Sequence, residues 1–288
     1  MQWWSNTTSI PDKWWHIPRV QQIWNEKITG STQCSYIEYV NGKYFAENKA
    51  VTLLSPGCGT GHKELAIAKL FPDWKITGLD LSPQRIDTAN KDASDQGLKN
   101  ITFKAGDIYR ESFQNERFDI VLFDSSLHHF RGFDTLFTQI STLLKPAGVI
   151  VINEYVGPDR FQWTKVQLST ANRLLRDIPL HYRRRWHSRF VKKRIYRPGT
   201  LRITLSDPSE ACCSSQILPS LHKHFRTKEE INLGGNLMQL ILNGIAHNFI
   251  GNDSDATIIL DNLLKEEEFF LKSNSSDFVF GVYGKNKH

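Results

Sequence analysis

From residue 51 onward, short apolar runs alternate with stretches of helical period. Val51–Leu54 precedes a glycine cluster, and His62–Phe71 reads as a helix stopped by Pro72. Lys75–Leu79 ends in Asp80, and Ser82-Pro83 then opens a helix through Ala93. Ser82 suits the N-cap and Pro83 the first helical position. Ile101–Lys104 leads to Asp107, and Asp119–Phe123 ends at Asp124. Phe133–Leu144 is helical until Pro146, and Gly148–Ile152 ends at Asn153-Glu154. Such alternation implies right-handed βαβ crossovers and a parallel sheet covered on both faces. The pattern predicts an open α/β sheet.

Outside that core the pattern changes. Residues 1–50 are Trp-rich (Trp3, Trp4, Trp14, Trp15, Trp24) and read as a helical lead-in or cap. Residues 51–156 form the alternating core. Residues 157–225 read as mostly helical, and residues 226–288 complete the sheet. Asn236–Phe249 and Ala256–Leu271 are expected to be amphipathic helices, with Asp277–Tyr283 as the last strand.

Charge singles out one segment. The net charge is +6, yet nine cations between Arg183 and Arg202 have no acid among them. Without that window the chain would be slightly acidic, so the basicity is local and needs a local explanation. Three readings compete: a solvated helix face, a site for an anionic small substrate, and an RNA surface. The patch is small for an RNA enzyme, which argues against nucleic acid. Four cysteines form no CxxC pair, so neither a disulfide scaffold nor a zinc site is indicated. Cys212 and Cys213 read as reduced, buried thiols. No apolar run reaches the roughly 20 residues of a spanning helix, so no membrane role is expected. The N-terminus has no signal pattern, and the expected location is the cytoplasm.

Ligands of open α/β sheets sit beyond the carboxyl ends of the strands. Those ends here carry Ser55–Gly61, Asp80, Asp107, Asp124–His129 and Glu154–Gly157. Gly57-Cys58-Gly59-Thr60-Gly61 lacks the third glycine of a dinucleotide fingerprint, where His62 stands, and lacks the Gly-Lys-Ser/Thr of a phosphate loop. Together with Gly78-Leu79-Asp80-Leu81-Ser82, Ala105-Gly106-Asp107-Ile108, Phe118-Asp119-Ile120-Val121 and Leu144-Lys145-Pro146-Ala147-Gly148, it resembles the class I S-adenosylmethionine (SAM)-dependent methyltransferases over about residues 50–155. The resemblance implies a Rossmann-like, mostly parallel seven-stranded sheet with helices on both faces and a helical lid insertion. It implies SAM as cofactor, with S-adenosylhomocysteine as product. Ser55, Gly57, Gly59, Gly61, Asp80, Leu81, Asp107, Ile108 and Ser125 would hold the donor. Asp80 would accept from the ribose hydroxyls and Asp107 from the adenine amino group.

Ser125-Ser126-Leu127-His128-His129-Phe130 follows the fourth-run strand, where the transferred methyl should lie. Histidine titrates near neutrality and suits a general base for a hydroxyl acceptor. His129 is favoured as the inward residue, with His128 or Glu154 beside it. A purely structural pair, one capping and one packing, explains the residues equally well. No metal is expected. Tyr155, Arg160 and Trp163, at the entry to the lid region, are the acceptor-binding candidates. The reading is methyl transfer to an oxygen or nitrogen of a small-molecule acceptor, with anionic metabolites among the candidates. The alternatives are an RNA or protein methyltransferase using residues 183–202, and a non-catalytic SAM-binding regulatory protein.

Overall fold

The computed structural model describes residues 13–47, 50–113 and 116–286. Trp3 and Trp4 lie outside the described residues. Helices α1 (Pro18–Thr29) and α2 (Tyr36–Tyr44) precede the sheet. Then follow β1 (Thr52–Pro56), α3 (His62–Leu70), β2 (Lys75–Asp80), α4 (Pro83–Asp95), β3 (Ile101–Ala105), β4 (Phe118–Asp124), α5 (Phe133–Leu143) and β5 (Leu144–Tyr155). Beyond them come α6 (Lys165–Asp177), α7 (Thr200–Ser206), α8 (Ile217–His224), β6 (Phe225–Gly234), α9 (Met238–Leu242), α10 (Ser254–Leu271) and β7 (Phe278–Lys285).

The seven strands order as β3-β2-β1-β4-β5-β7-β6. The pairs β1–β2, β2–β3, β1–β4 and β4–β5 are parallel, with Leu54 opposite Thr77 and Leu53 opposite Ile120. The chain leaves β1 toward β2 and β3 and later returns to β4 on β1's other side. Right-handed crossovers therefore put α3 and α4 on one face and α5 on the other. The β1/β4 boundary is a topological switch point, and its carboxyl end is the place for a ligand.

Burial on both faces explains the apolar runs. Leu53, Leu54, Ile120–Phe123 and Val149–Ile152 are fully buried, each large side chain contributing roughly 1.5–3 kcal/mol. Ser82 caps α4 as expected, accepting from the Arg85 amide, with Pro83 in the first turn. The Pro146-containing turn lies inside β5: pairing passes from Phe118–Leu144 to Ile120–Val149, so Lys145–Gly148 bulge out of the ladder.

The described residues divide into two compact units. Among them, one draws on residues 13–36, 157–208 and 232–279, the other on those within 37–156, 209–231 and 280–286. In the first, Trp14 is buried and meets Trp24 and Phe278 edge-on at 5.1 and 5.3 Å between ring centres. Glu267 accepts the amides of Asn236, Leu237 and Met238, the orphan donors at the start of α9.

Three expectations need correction, and one strand was not foreseen. Asn236–Phe249 is not one helix: α9 ends at Leu242, and Gly244 turns the chain at φ +82° before a 3-10 turn at Ala246–Phe249. Lys192 secures that break, its buried ammonium donating to the carbonyls of Leu240, Ile241 and Asn243. The basic segment is not a helix face either, because residues 184–199 run without helix and only Arg202 sits on α7. Strand β6 was not apparent in the sequence; Arg226–Ile231 are mostly charged because β6 is an edge strand, where charge discourages further pairing. Cys212 and Cys213 are free thiols as expected, but half-buried.

Candidate active site

The turn after β1 is tied to the tip of β2, with the Gly57 and Cys58 amides both donating to the Leu79 carbonyl at 2.7 and 3.1 Å. Two glycines in it are required for different reasons. Gly59 sits at φ +59°, and a Cβ there would meet nothing within 4 Å, so the turn opens onto free space. Gly61, at φ +71°, would drive a Cβ to 2.3 Å from the Phe103 ring. Its lack of a side chain serves packing. Asp80 accepts from the Gly59 amide through Oδ2 and from the Ser82 amide through Oδ1, each at 2.9 Å. Leu81 beside it is 74% exposed, an unusual place for a large apolar side chain at a strand tip. Asp107 holds its own turn by accepting from the Tyr109 amide at 3.0 Å, and Ile108 is buried.

Two charged residues absent from the sequence expectations reinforce this region. Glu64, in the first turn of α3, is buried and accepts from the Ser55 hydroxyl at 2.6 Å. Burial pushes its carboxyl up to about 7 against the opposing pull of that hydrogen bond. The ammonium of Lys63 pairs with Asp124, which also accepts from Asn153 at 3.2 Å. Ser125 follows at φ +56°, its amide bonded to the Asn153 carbonyl at 2.9 Å. The first warning of Glu64 in the sequence is an acid among the apolar residues of a sheet-facing helix.

The two histidines occupy a 3-10 turn, Leu127–His129. Successive side chains there point about 120° apart, so one turns inward and the other outward. The buried one is His128, whereas His129, favoured from the sequence, is half-buried. Its Nδ1 lies 2.5 Å from Oε1 of Glu154. Glu154 is fully buried, and accepts the amides of Ser126, Leu127 and Tyr155 at 2.7 Å each. Burial pushes this carboxyl up, but the charge and hydrogen bond of His128, with the backbone donors, hold it below its ordinary value. Burial likewise pulls His128 down, yet the attraction of Glu154, and secondarily Glu210, leaves it above the ordinary histidine value.

The loop after α7 closes the arrangement. Nδ1 of half-buried His129 is 3.0 Å from the Ser209 hydroxyl. Glu210 lies 3.6 Å from Nε2 of His128 and 4.0 Å from Nε2 of His129. Ser209 belongs to a turn that brings its hydroxyl to a histidine 80 residues away. Nothing local in the sequence marks Ser209 or Glu210 for this role.

The profile of a methyltransferase-domain family matches residues 47–200, just over half of the chain. The chain is a class I SAM-dependent methyltransferase by family. Among curated relatives, it is 30% identical over 115 residues to a malonyl-[acyl-carrier protein] O-methyltransferase of Priestia megaterium, which is 40% of each chain. It is 32% identical over 120 residues to a sterol 24-C-methyltransferase of Neurospora crassa, 41% of this chain and 31% of that one. These matches thus take in well under half of the relatives' lengths. Among solved structures, a geranyl diphosphate methyltransferase bound to SAM superposes with TM-score 0.54 at 12% identity, covering 86% of this chain and 84% of the other. An O-methyltransferase from a polyketide synthase of Brevibacillus brevis, bound to S-adenosylhomocysteine, gives 0.50 at 14%, covering 93% and 73%. At these identities the likeness is one of fold.

SAM is the donor of this methyltransferase family, and the residues at the switch point suit it. The opening at Gly59 leaves room for a ligand against bare backbone. Each Asp80 oxygen, having accepted one amide, retains a lone pair for a hydroxyl. Exposed Leu81 offers an apolar surface for a ring to cover. The Ser55 hydroxyl, by contrast, is engaged by Glu64.

The acceptor candidates fall in different settings. Tyr155 is buried, its ring edge-on to His128 at 6.5 Å. In the other unit, Arg160 holds the chain in place, donating to the carbonyls of Asp207 and Pro208 at 3.3 and 2.7 Å. The Trp163 carbonyl accepts from Arg197 at 2.6 Å. His128, His129 and Glu210 also each present one donor atom within 4.8 Å of the others, a set suited to a divalent cation that the sequence did not suggest.

Among the described residues, no helix is long and apolar enough to cross a membrane.

Proposed function

We propose that this methyltransferase methylates an oxygen of a small-molecule acceptor, with His128 as general base and Glu154 as the residue that orients it. The observation that carries the reading is the 2.5 Å contact between His128 Nδ1 and a buried Glu154 already fixed by three backbone amides. A carboxylate so held keeps the proton of the neutral imidazole on Nδ1 and leaves the Nε2 lone pair for a hydroxyl proton. As Nε2 takes that proton, the imidazolium is stabilised by the adjacent carboxylate, and the acceptor oxygen becomes a better nucleophile. Bound SAM supplies a methyl group on a sulfonium sulfur, and S-adenosylhomocysteine remains after transfer. Ser55, Gly57, Gly59, Gly61, Asp80, Leu81, Asp107, Ile108 and Ser125 are the donor-side residues in this reading. Tyr155, Arg160 and Trp163 are the acceptor-side candidates in this reading.

The test is incubation with methyl-labelled SAM and a cell extract separated into small-molecule, RNA and protein fractions. Label in the small-molecule fraction, as a methyl ether or ester, is the expected result. Label confined to RNA or protein would replace this reading with a macromolecular acceptor. SAM binding without transfer to any fraction would favour a regulatory protein.

A further inference from the structure

The basic segment singled out by the sequence has a structure that methyl transfer does not account for. One wall of a groove of about 720 Å³ is the α6 face carrying Lys165, Ser169, Asn172 and Arg176, and the other is the run Lys193–Arg197. The α6 positions recur at helical spacing, so they form a single stripe about 16 Å long. Asn172 fixes the two walls together, accepting from the Ile195 amide at 2.8 Å and donating to the Ile195 carbonyl at 3.0 Å. Lys192 and Ile195 are buried, and this anchoring turns Lys193, Arg194, Tyr196 and Arg197 outward. The groove lies wholly within one unit.

Five cations line it, Lys165, Arg176, Lys193, Arg194 and Arg197, and no acid does. Among the described residues none of the five forms an ion pair, whereas Arg173, on another face of the same helix, pairs with Glu266 at 2.6 Å. Cations gathered in one concavity repel one another and focus a positive potential there. A rigid frame that holds them together without carboxylates suits an anion brought by a ligand. The guanidinium forks favour phosphate oxygens in particular. Tyr196, 68% exposed with Arg194 5.3 Å from its ring centre, adds an aromatic face beside the charge.

We infer that this groove is a binding site for a diphosphate ester, the phosphates held by cations of its two facing walls. The inference is independent of the His128–Glu154 chemistry. Such a ligand has two natural sources, a soluble nucleotide-linked compound and a lipid-linked headgroup.

The experiment uses the full chain and measures binding of inorganic pyrophosphate, UDP, and vesicles of phosphatidylcholine with and without a lipid diphosphate, all in 150 mM salt. A single-stranded RNA oligonucleotide is the competing macromolecule. A Lys193→Glu/Arg194→Glu variant is compared throughout, with SAM affinity as the check that it is folded. The expected result is saturable binding of pyrophosphate and UDP that weakens at least tenfold in the variant. Vesicle binding that depends on the lipid diphosphate and is lost in the variant would identify the lipid source of the same chemistry. Absence of diphosphate binding in every form, binding unchanged by the charge reversal, or binding of RNA alone would overturn the inference. A variant that loses SAM affinity is replaced by Arg176→Gln, for which the same at least severalfold weakening is required.

Discussion

Glu154 meets His128 across 2.5 Å while fixed by the amides of Ser126, Leu127 and Tyr155, so it orients the ring without being free to follow it. His128 lies above its ordinary value because Glu154 outweighs the effect of burial. A base must be unprotonated, so kcat should rise with pH through that elevated value. Glu154→Gln removes the charge and should move the acid limb to lower pH. It should also cost about 10–100-fold in kcat, within the range of a positioned acid–base group. A kcat–pH series on both proteins checks this, and an unmoved limb would deny Glu154 its role.

The glycine turn makes a paired prediction. Gly59→Ala places a methyl in open space, so the fold should survive with a loss of about 1 kcal/mol from the positive φ. SAM affinity should fall at least tenfold if that space is the donor's, as the proposed function has it. Gly61→Ala collides with Phe103 and should instead destabilise the protein by about 2–4 kcal/mol. Denaturant unfolding and SAM titration on the two variants separate these effects.

That contrast also shows what the sequence could reveal. The glycine turn, the Ser82 cap and the acids at β2 and β3 tips are written in short local patterns, and the sheet follows from alternating runs. Which histidine faces inward depends on one 3-10 turn, whose identity the residues Leu127–His129 do not reveal on their own. Ser209 and Glu210 reach the histidines only through the tertiary path of the chain. Edge strand β6 was hidden because its charges suppress the apolar signal that marks a strand.

Glu64 links the site to stability. Its folded value of about 7 exceeds the ordinary 4.5, so the folded state binds the extra proton and stability should fall as pH rises between these values. Glu64→Gln keeps a partner for Ser55 without the buried charge. It should therefore exceed the wild type in stability at pH 8, by on the order of 1–3 kcal/mol, with the difference vanishing near pH 4. Thermal unfolding at both values is the measurement. An advantage at pH 4 equal to that at pH 8 would contradict the account.

The Nε2 atoms near Glu210 cannot serve a proton and a metal ion at once. If His128 is the base, EDTA should leave the rate unchanged and Zn²⁺ should inhibit, with inhibition relieved by the chelator. Loss of activity in EDTA with recovery on adding a divalent cation would make the His128–His129–Glu210 set a catalytic metal site.

The most direct test of the central claim is a single-turnover methyl-transfer rate for His128→Ala alongside its SAM dissociation constant. The account predicts a rate reduced about 10²–10⁴-fold with SAM affinity unchanged. A rate within threefold of the wild type would show that no proton passes through His128.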